Sequence, residues 1–177
     1  NFSFATSVAG GTAYSVTVSS QPSGPSQTCT VSGGTGTSSG VNVTNVAVNC
    51  ATNTFPINVN VTGLSGSGLV VRNNGGDSKT ITTNGLASFA TPIVSGGNYA
   101  VTVQTQPTGP AQNCAVASGS GIVGNGPVTV NVACSTNSYT IGFTVSGLAG
   151  TGLQLQNNGA NTVSVSANGS FTGAGRR

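Results

Sequence analysis

The strongest constraint on this chain is a sequence block that occurs twice. TQPTGPAQNC at residues 105–114 matches SQPSGPSQTC at residues 20–29, an offset of 114 − 29 = 85. A second pair of matching blocks, at residues 61–69 and 145–153, gives an offset of 145 − 61 = 84. Repetition at a fixed period predicts a series of similar modules, each of about 84 residues, the size of a small β-sandwich domain.

The repeat predicts one whole module flanked by two partial ones. Residues 51–134 carry the whole copy, residues 1–50 the later part of a copy, and residues 135–177 the early part of another. We expect each partial copy to be completed by a neighbouring copy or subunit. The N-terminal residues lack the pattern of a signal peptide, so any targeting signal is expected to be removed or to lie outside this sequence.

Short alternating runs of apolar and polar residues indicate half-buried strands. Phe55, Ile57, Val59 and Val61, for example, fall on one face of their run. The whole copy predicts seven strands, at residues 55–61, 69–72, 79–82, around Phe89, 98–104, 112–117 and 128–134. Asn- and Gly-rich turns separate them, and no window has the apolar stripe of a helix. The expected fold is all-β, with tandem seven-stranded sandwich modules.

Four cysteines stand at matching places in two copies. They permit three pairings, of which repetition favours Cys29 with Cys50 and Cys114 with Cys134. One disulfide in each module would close a loop of about 20 residues and stabilise it by about 3 kcal/mol. Such bonds persist in oxidising compartments, which predicts an extracellular or cell-surface location. Four buried free thiols are the alternative.

The composition leaves little chemistry for catalysis. Only 3% of the residues are charged, there is no His, and Asp77 is the single acid. Acid–base catalysis needs His, paired carboxylates or an activated Lys or Cys, so we expect no enzyme and no catalytic residues. The cysteine spacing does not fit zinc, and we expect no metal and no cofactor. Four scattered cations disfavour nucleic acid, and no apolar run of about 18 residues predicts a membrane span.

A set of short motifs resembles the tandem Ig-like or transthyretin-like modules of large secreted bacterial cell-surface proteins. The motifs are VTGL at 61–64, GLVV at 68–71, NG at 84–85, SF at 88–89 and GNYAVTV at 97–103. The likeness covers nearly the whole chain, and the segment QPxGPxQxC is similar to that of repeats of about 80 residues in exported proteins. The resemblance implies a stalk or display role.

Two features could be binding sites, and each has a simpler interpretation. Residues 73–77 could hold a cation, but one carboxylate makes a weak calcium site and Asn-Gly turns are common in hairpins. Tyr14, Tyr99 and Tyr139 could stack on sugars, but the alternation places all three on inward faces. We therefore expect a plain turn and core tyrosines.

Two segments could form open sheet edges. Residues 41–50 and 128–134 are uncharged and apolar at alternate positions. As edges they would invite pairing with another chain, and as interior strands they would pair within their own sandwich; the sequence leaves both open. Near the other end, residues 172–175 replace the expected strand before Arg176 and Arg177.

These patterns predict a structural repeat of an extracellular fibre, stalk or filament. Its partners would be copies of itself, joined head to tail by β-strand complementation, because residues 1–50 and 135–177 together make one module. The alternative is an adhesin module that binds a surface glycan or a host protein through loops such as residues 118–127. An enzyme ranks third.

Overall fold

The computed structural model describes residues 2–173, and these residues form strands and no helix. The chain divides into two compact units, Asn1–Ser135 and Thr136–Arg177. The strands up to the end of the first unit are β1 (Ala13–Ser15), β2 (Gln27–Ser32), β3 (Thr35–Thr37), β4 (Ala47–Thr52), β5 (Thr54–Phe55), β6 (Ile57–Thr62), β7 (Leu69–Asn73), β8 (Asp77–Ile81), β9 (Gly85–Ser88), β10 (Ile93–Val94), β11 (Asn98–Thr105), β12 (Gln112–Ala117), β13 (Ser120–Ile122) and β14 (Val128–Thr136). The second unit contains β15 (Ile141–Val145), β16 (Leu153–Asn157), β17 (Ala160–Val165) and β18 (Gly169–Gly173).

Two four-stranded sheets form the central sandwich, which we define as residues 53–135. One sheet has the order β13-β11-β7-β8 and the other the order β12-β14-β6-β9. The same residues also contain a separate two-stranded sheet, in which β5 pairs with β10. The expectation of an all-β sandwich is confirmed.

The core follows from the alternation along each strand. Ile57, Val59 and Val61 on β6 have no exposed surface, and they pack in one cluster with Leu69 and Val71 of β7. Burying such a side chain stabilises the fold by about 1.5–3 kcal/mol. Shifting β6 by one residue would expose all three, so this burial fixes the register of the strand.

The first and last long strands of the central sandwich lie side by side. β6 and β14 pair in parallel, with Val59 opposite Val130 and Val61 opposite Val132. β14 also neighbours β12, which makes it an interior strand. Of the two interpretations that the sequence leaves open for residues 128–134, the interior one is therefore right.

The strand count differs from the sequence prediction. Residues 54–136 contain ten strands instead of seven, because the strand predicted at residues 55–61 is divided into β5 and β6, and β10 and β13 form in segments that the sequence assigns to links. β13 pairs with β11, with Gly121 opposite Tyr99, where a Cβ on Gly121 would lie 2.7 Å from the tyrosine hydroxyl. The strand expected around Phe89 ends at Ser88; Phe89 follows it, donates its amide to the Ile57 carbonyl at 3.0 Å and is buried in the core.

Two parts of the chain contain only pairs of strands. We call residues 2–52 the N-terminal segment, with pairs β1–β3 and β2–β4, and residues 136–173 the C-terminal unit, with pairs β15–β18 and β16–β17. The expectation that residues 172–175 interrupt the last strand is wrong at 172 and 173, since β18 continues to Gly173. Arg176 and Arg177 lie outside the described residues.

Candidate functional site

The four cysteines form two disulfides. Cys29 bonds to Cys50, its direct partner across β2 and β4, and Cys114 bonds to Cys134 between β12 and β14. No cysteine is free. Both bonds place this chain in a non-reducing environment. They also leave no thiol to act as a nucleophile or a metal ligand.

The predicted turn at residues 73–77 uses its polar groups internally. Asp77 begins β8 and does not lie in the turn, a correction to the sequence interpretation, and its Oδ2 accepts a 2.7 Å hydrogen bond from the Thr91 amide. Oδ1 of Asn73 accepts the Ala100 amide at 3.0 Å. One carboxylate oxygen of Asp77 and the side-chain oxygen of Asn73 thus accept backbone amides. Among residues 2–173, no three His, Cys, Asp or Glu side chains are grouped as a metal site would require.

The three tyrosines do not share one environment. Tyr14 and Tyr99 are half-buried, but Tyr139 is 71% exposed, so the expectation that it faces inward is wrong. Tyr139 repeats Phe55, and β5 pairs Phe55 with Ile93 of β10. The position that repeats Ile93, residue 177, lies outside the described residues.

The loop proposed for ligand recognition is partly a strand. Ser120–Ile122 forms β13 at a sheet edge, Val123 is buried and Ile122 is 68% exposed. Residues 118–127 contain neither an aromatic nor a charged side chain. The groups that usually stack on a sugar or bind an ionic ligand are therefore missing from this loop.

The open strand edges are the main unsatisfied feature. Within residues 2–173, β4 pairs with β2 alone, and all six of its residues are exposed. β15 pairs only with β18 among the described residues. The strands at the same repeat positions in the central sandwich, β14 and β6, pair with each other. An unpaired edge presents a row of backbone donors and acceptors to any strand that fits.

Apolar side chains at these edges are exposed where their repeat equivalents are buried. Val132 is completely buried, whereas Val48, at the same place one period earlier, is 55% exposed. Ile57 is completely buried, whereas Ile141, one period later, is 59% exposed. The same residue type at the same repeat position is therefore covered in the central sandwich and exposed in the flanking parts.

Strand lengths also differ between repeat positions in the sheet that contains β11. β11 has eight residues and lies between β13 and β7. β1, which repeats the first part of β11, has three residues, and β3 is its one partner in the described part of the chain. Among the described residues, no counterpart of β7 lies beside β1.

A polar joint holds the N-terminal segment to the central sandwich. The Ser26 amide donates to Oγ of Ser95 at 2.8 Å, and the Ser95 hydroxyl donates to the carbonyl of Gly124 at 2.7 Å. Asn53 Nδ2 donates to Oγ of Ser26 at 2.8 Å, and its Oδ1 accepts from the hydroxyl of Thr28 at 2.7 Å. These bonds link a loop of the segment to two loops of the sandwich.

Sequence reasoning missed this joint. The signal that could have found it is Asn53, which recurs as Asn137 in the next copy, although Ser26 becomes Ala111 there. Hydrogen bonds between loops produce no alternating pattern in the sequence. The recurrence of Asn53 is therefore the one sequence signal of this joint.

Comparisons with protein-family models, with curated proteins and with solved structures each returned no match. Within residues 2–173, the structure has no helix that is long and apolar enough to cross a membrane.

Proposed function

We propose that this chain is a structural repeat of an extracellular fibre, stalk or filament. Copies join head to tail when the C-terminal unit of one copy completes the N-terminal segment of another. The observation that carries the proposal is the pair of open edges on β4 and β15, whose repeat equivalents β14 and β6 pair in the central sandwich.

The energetics favour such complementation. Joining the two edges would add backbone hydrogen bonds and remove Val48 and Ile141, each more than half exposed, from water. A fully buried Val or Ile side chain contributes about 1.5–3 kcal/mol, and added edge strands derive affinity from main-chain bonds. An almost uncharged surface imposes little repulsion between copies, since only 3% of the residues carry charge.

The module type supports the same role. The resemblance to tandem Ig-like or transthyretin-like repeats implies display or stalk proteins, and two disulfides suit a location outside the cell. A covalent staple compensates for the small core of a module of this size. We propose one such staple in each repeat.

Concentration-dependent assembly tests the proposal. We expect light scattering after size exclusion to show oligomers that grow with concentration, and electron micrographs to show filaments. Hydrogen exchange should slow in β4 and β15 on assembly and remain constant in β6 and β14. A chain that stays monomeric at every concentration, with β4 and β15 always exchanging fast, would refute it.

Charged substitutions supply the matched control. Val48→Lys places a cation on the open edge, where the side chain is 55% exposed, and should block assembly without unfolding the chain. Leu86→Lys alters a 67% exposed aliphatic residue of β9 in the central sandwich and should leave assembly unchanged. Equal loss of assembly in both variants would contradict the proposed edge.

An adhesin is the second candidate, and one observation favours it. Tyr139 exposes 71% of its surface, as a sugar-stacking aromatic would. Binding of the wild-type chain to a glycan array, lost in Tyr139→Ser while assembly persists, would favour this role. Wild-type assembly without glycan binding would favour the fibre.

A further inference from the structure

The repeat also specifies how two copies would meet, an inference that rests on the proposed function. We infer that β15 of one copy lies parallel to β4 of a second copy, with Phe143 opposite Val46 and Val145 opposite Val48. The loop at residues 147–150 then closes over Gln27 of the second copy.

The direction and register come from the central sandwich. β6 and β14 are parallel over six residue pairs, among them Val59 with Val130 and Val61 with Val132. Phe143 and Val145 are the repeat equivalents of Val59 and Val61. Val46 and Val48 are the repeat equivalents of Val130 and Val132. Most strand additions at an open edge could run either way, so the parallel direction is a specific claim.

A buried glutamine fixes the same register in the central sandwich. Oε1 of Gln112 accepts the amides of Ser65 and Gly66, both at 2.8 Å, and Nε2 donates to the carbonyl of Gly63 at 2.8 Å. Gln112 is 2% exposed. The side chain thus connects β12 to the loop that follows β6.

The repeat equivalent of this glutamine lacks that loop. Gln27 is half-buried, and its Nε2 donates to Oγ1 of Thr52 at 3.3 Å. The loop that repeats Gly63 to Gly66 is residues 147–150 of the C-terminal unit. In the joined copies Gln27 would accept the amides of Ala149 and Gly150, as Gln112 does for their counterparts.

Gly150 supplies an independent observation. A Cβ on Gly66, its counterpart, would lie 2.5 Å from the carbonyl oxygen of Pro110, so close packing requires glycine there. A Cβ on Gly150 has no described heavy atom within 4 Å, and Gly150 does not have a positive φ. Glycine at 150 is explained if Pro25 of a second copy, the repeat of Pro110, packs against it.

The second sheet would join in the same way. In the central sandwich, Oδ1 of Asn73 at the end of β7 accepts the Ala100 amide at 3.0 Å, and β7 pairs antiparallel with β11. Asn157 at the end of β16 repeats Asn73, and Ser15 of β1 repeats Ala100. β16 of one copy would therefore lie against β1 of the other and extend it.

The C-terminal unit already has the geometry that it needs. Asn84 clamps Leu64 in the central sandwich, accepting its amide at 2.8 Å and donating to its carbonyl at 2.9 Å. Asn168 clamps Leu148 in the same way, at 2.7 Å and 3.1 Å. The turn before the docking loop is preorganised, which lowers the entropy lost on binding.

The N-terminal segment is preorganised as well. Gln106 accepts the Cys114 amide at 2.7 Å and donates to the Cys114 carbonyl at 3.0 Å. Gln21 makes the same pair of bonds with Cys29, at 2.7 Å and 3.1 Å. The N-terminal segment and the C-terminal unit thus each contain counterparts of hydrogen bonds within the central sandwich. The proposed contact would add the hydrogen bonds that join the two.

Cross-linking between two variants tests the register. Asn60 and Asn131 are paired across β6 and β14, and their outward side chains bond to each other at 3.4 Å. Their repeat counterparts are Thr144 and Ala47. We expect a mixture of Ala47→Cys chains with Thr144→Cys chains to form disulfide dimers at least about tenfold faster than either variant alone, because pairing raises the effective concentration.

Two further mixtures fix the direction and the spacing. Asn49→Cys with Ser146→Cys should also cross-link, since parallel strands advance together. Ala47→Cys with Ser146→Cys is two residues out of register and should react no faster than the single variants. Peptide mapping must find Cys29–Cys50 and Cys114–Cys134 intact in the products.

The outcomes separate this inference from the proposed function. Assembly without the 47–144 cross-link, or with 47–146 preferred, overturns the register and leaves the fibre standing. Absence of assembly in the wild-type chain overturns both. A double variant Ala47→Cys/Thr144→Cys that closes only within single chains overturns the role of the second copy.

Discussion

The side-chain amide of Asn53 donates a 2.8 Å hydrogen bond to the hydroxyl of Ser26, across the boundary between the N-terminal segment and the central sandwich. Asn53 also binds through its backbone, donating to the Ser26 carbonyl at 3.0 Å and accepting from the Ser95 amide at 2.8 Å. One residue therefore connects two loops that are distant in sequence, and it holds the segment against the sandwich.

Asn53→Ala should loosen this joint. It removes the side-chain bonds to Ser26 and Thr28 and should lower the free energy of unfolding by about 1–2 kcal/mol, since each bond contributes about 1 kcal/mol. Urea denaturation at low protein concentration measures the change. Asn137→Ala is the matched control: its side chain makes one 3.5 Å bond to Tyr139, and its removal should cost less. Equal effects would contradict the joint.

Gln112→Ala should be far more damaging than Gln27→Ala in dilute protein. The first leaves the amides of Ser65 and Gly66 and the carbonyl of Gly63 without their partner, a loss of about 3 kcal/mol or more. The second removes one 3.3 Å bond and should cost less than about 1 kcal/mol. Amide exchange in β6 and β12 reports the difference. A large loss in dilute Gln27→Ala would show that its loop partner is already bound.

Gly66→Ala and Gly150→Ala should act on different states. A methyl group at 66 meets the Pro110 carbonyl, and overpacking of this kind costs about 1–3 kcal/mol. A methyl group at 150 meets no described atom, so the dilute chain should be as stable as wild type or slightly more stable. Gly150→Ala should instead weaken assembly, measured by sedimentation. Normal assembly of Gly150→Ala would contradict the packing of Pro25 on this glycine.

Removing the buried disulfide should destabilise the central sandwich. The Cys114→Ser/Cys134→Ser variant opens a loop spanning 20 residues, and the expected loss is about 3 kcal/mol of unfolding free energy. Denaturation with and without a reductant measures the loss. The reductant breaks both disulfides of the wild type and should shift its midpoint, whereas in the variant it can break Cys29–Cys50 alone and should shift the midpoint less. A midpoint unchanged by both treatments would contradict the staple.

The sequence was sufficient for the parts of the fold that depend on local pattern. Alternation gave the strand class, and the limits of β12 were predicted without error. Period-2 burial works because every second side chain of a strand faces the same sheet surface. The open edge of β4 was also among the alternatives, since its uncharged run has no residue that blocks pairing.

Other features depend on contacts that a linear pattern does not contain. The parallel partnership of β6 with β14 joins strands from opposite ends of the module. β13 lies against β11 with Gly121 opposite Tyr99, a pairing that the alternation along either strand does not contain. Tyr139 follows the inward alternation and is exposed, because alternation assigns a face but not what covers it.

The parallel contact of β6 with β14 has a mechanical consequence. Tension on the two ends of the central sandwich pulls these strands past each other lengthwise, because parallel neighbours have their entry and exit at opposite ends of the sheet. Six residue pairs then resist together in shear, and none can be unzipped singly. The disulfide between Cys114 and Cys134 keeps β14 attached to β12, so the chain between these two residues cannot be pulled out to its full length. A thread made of such units would transmit load with little stretch.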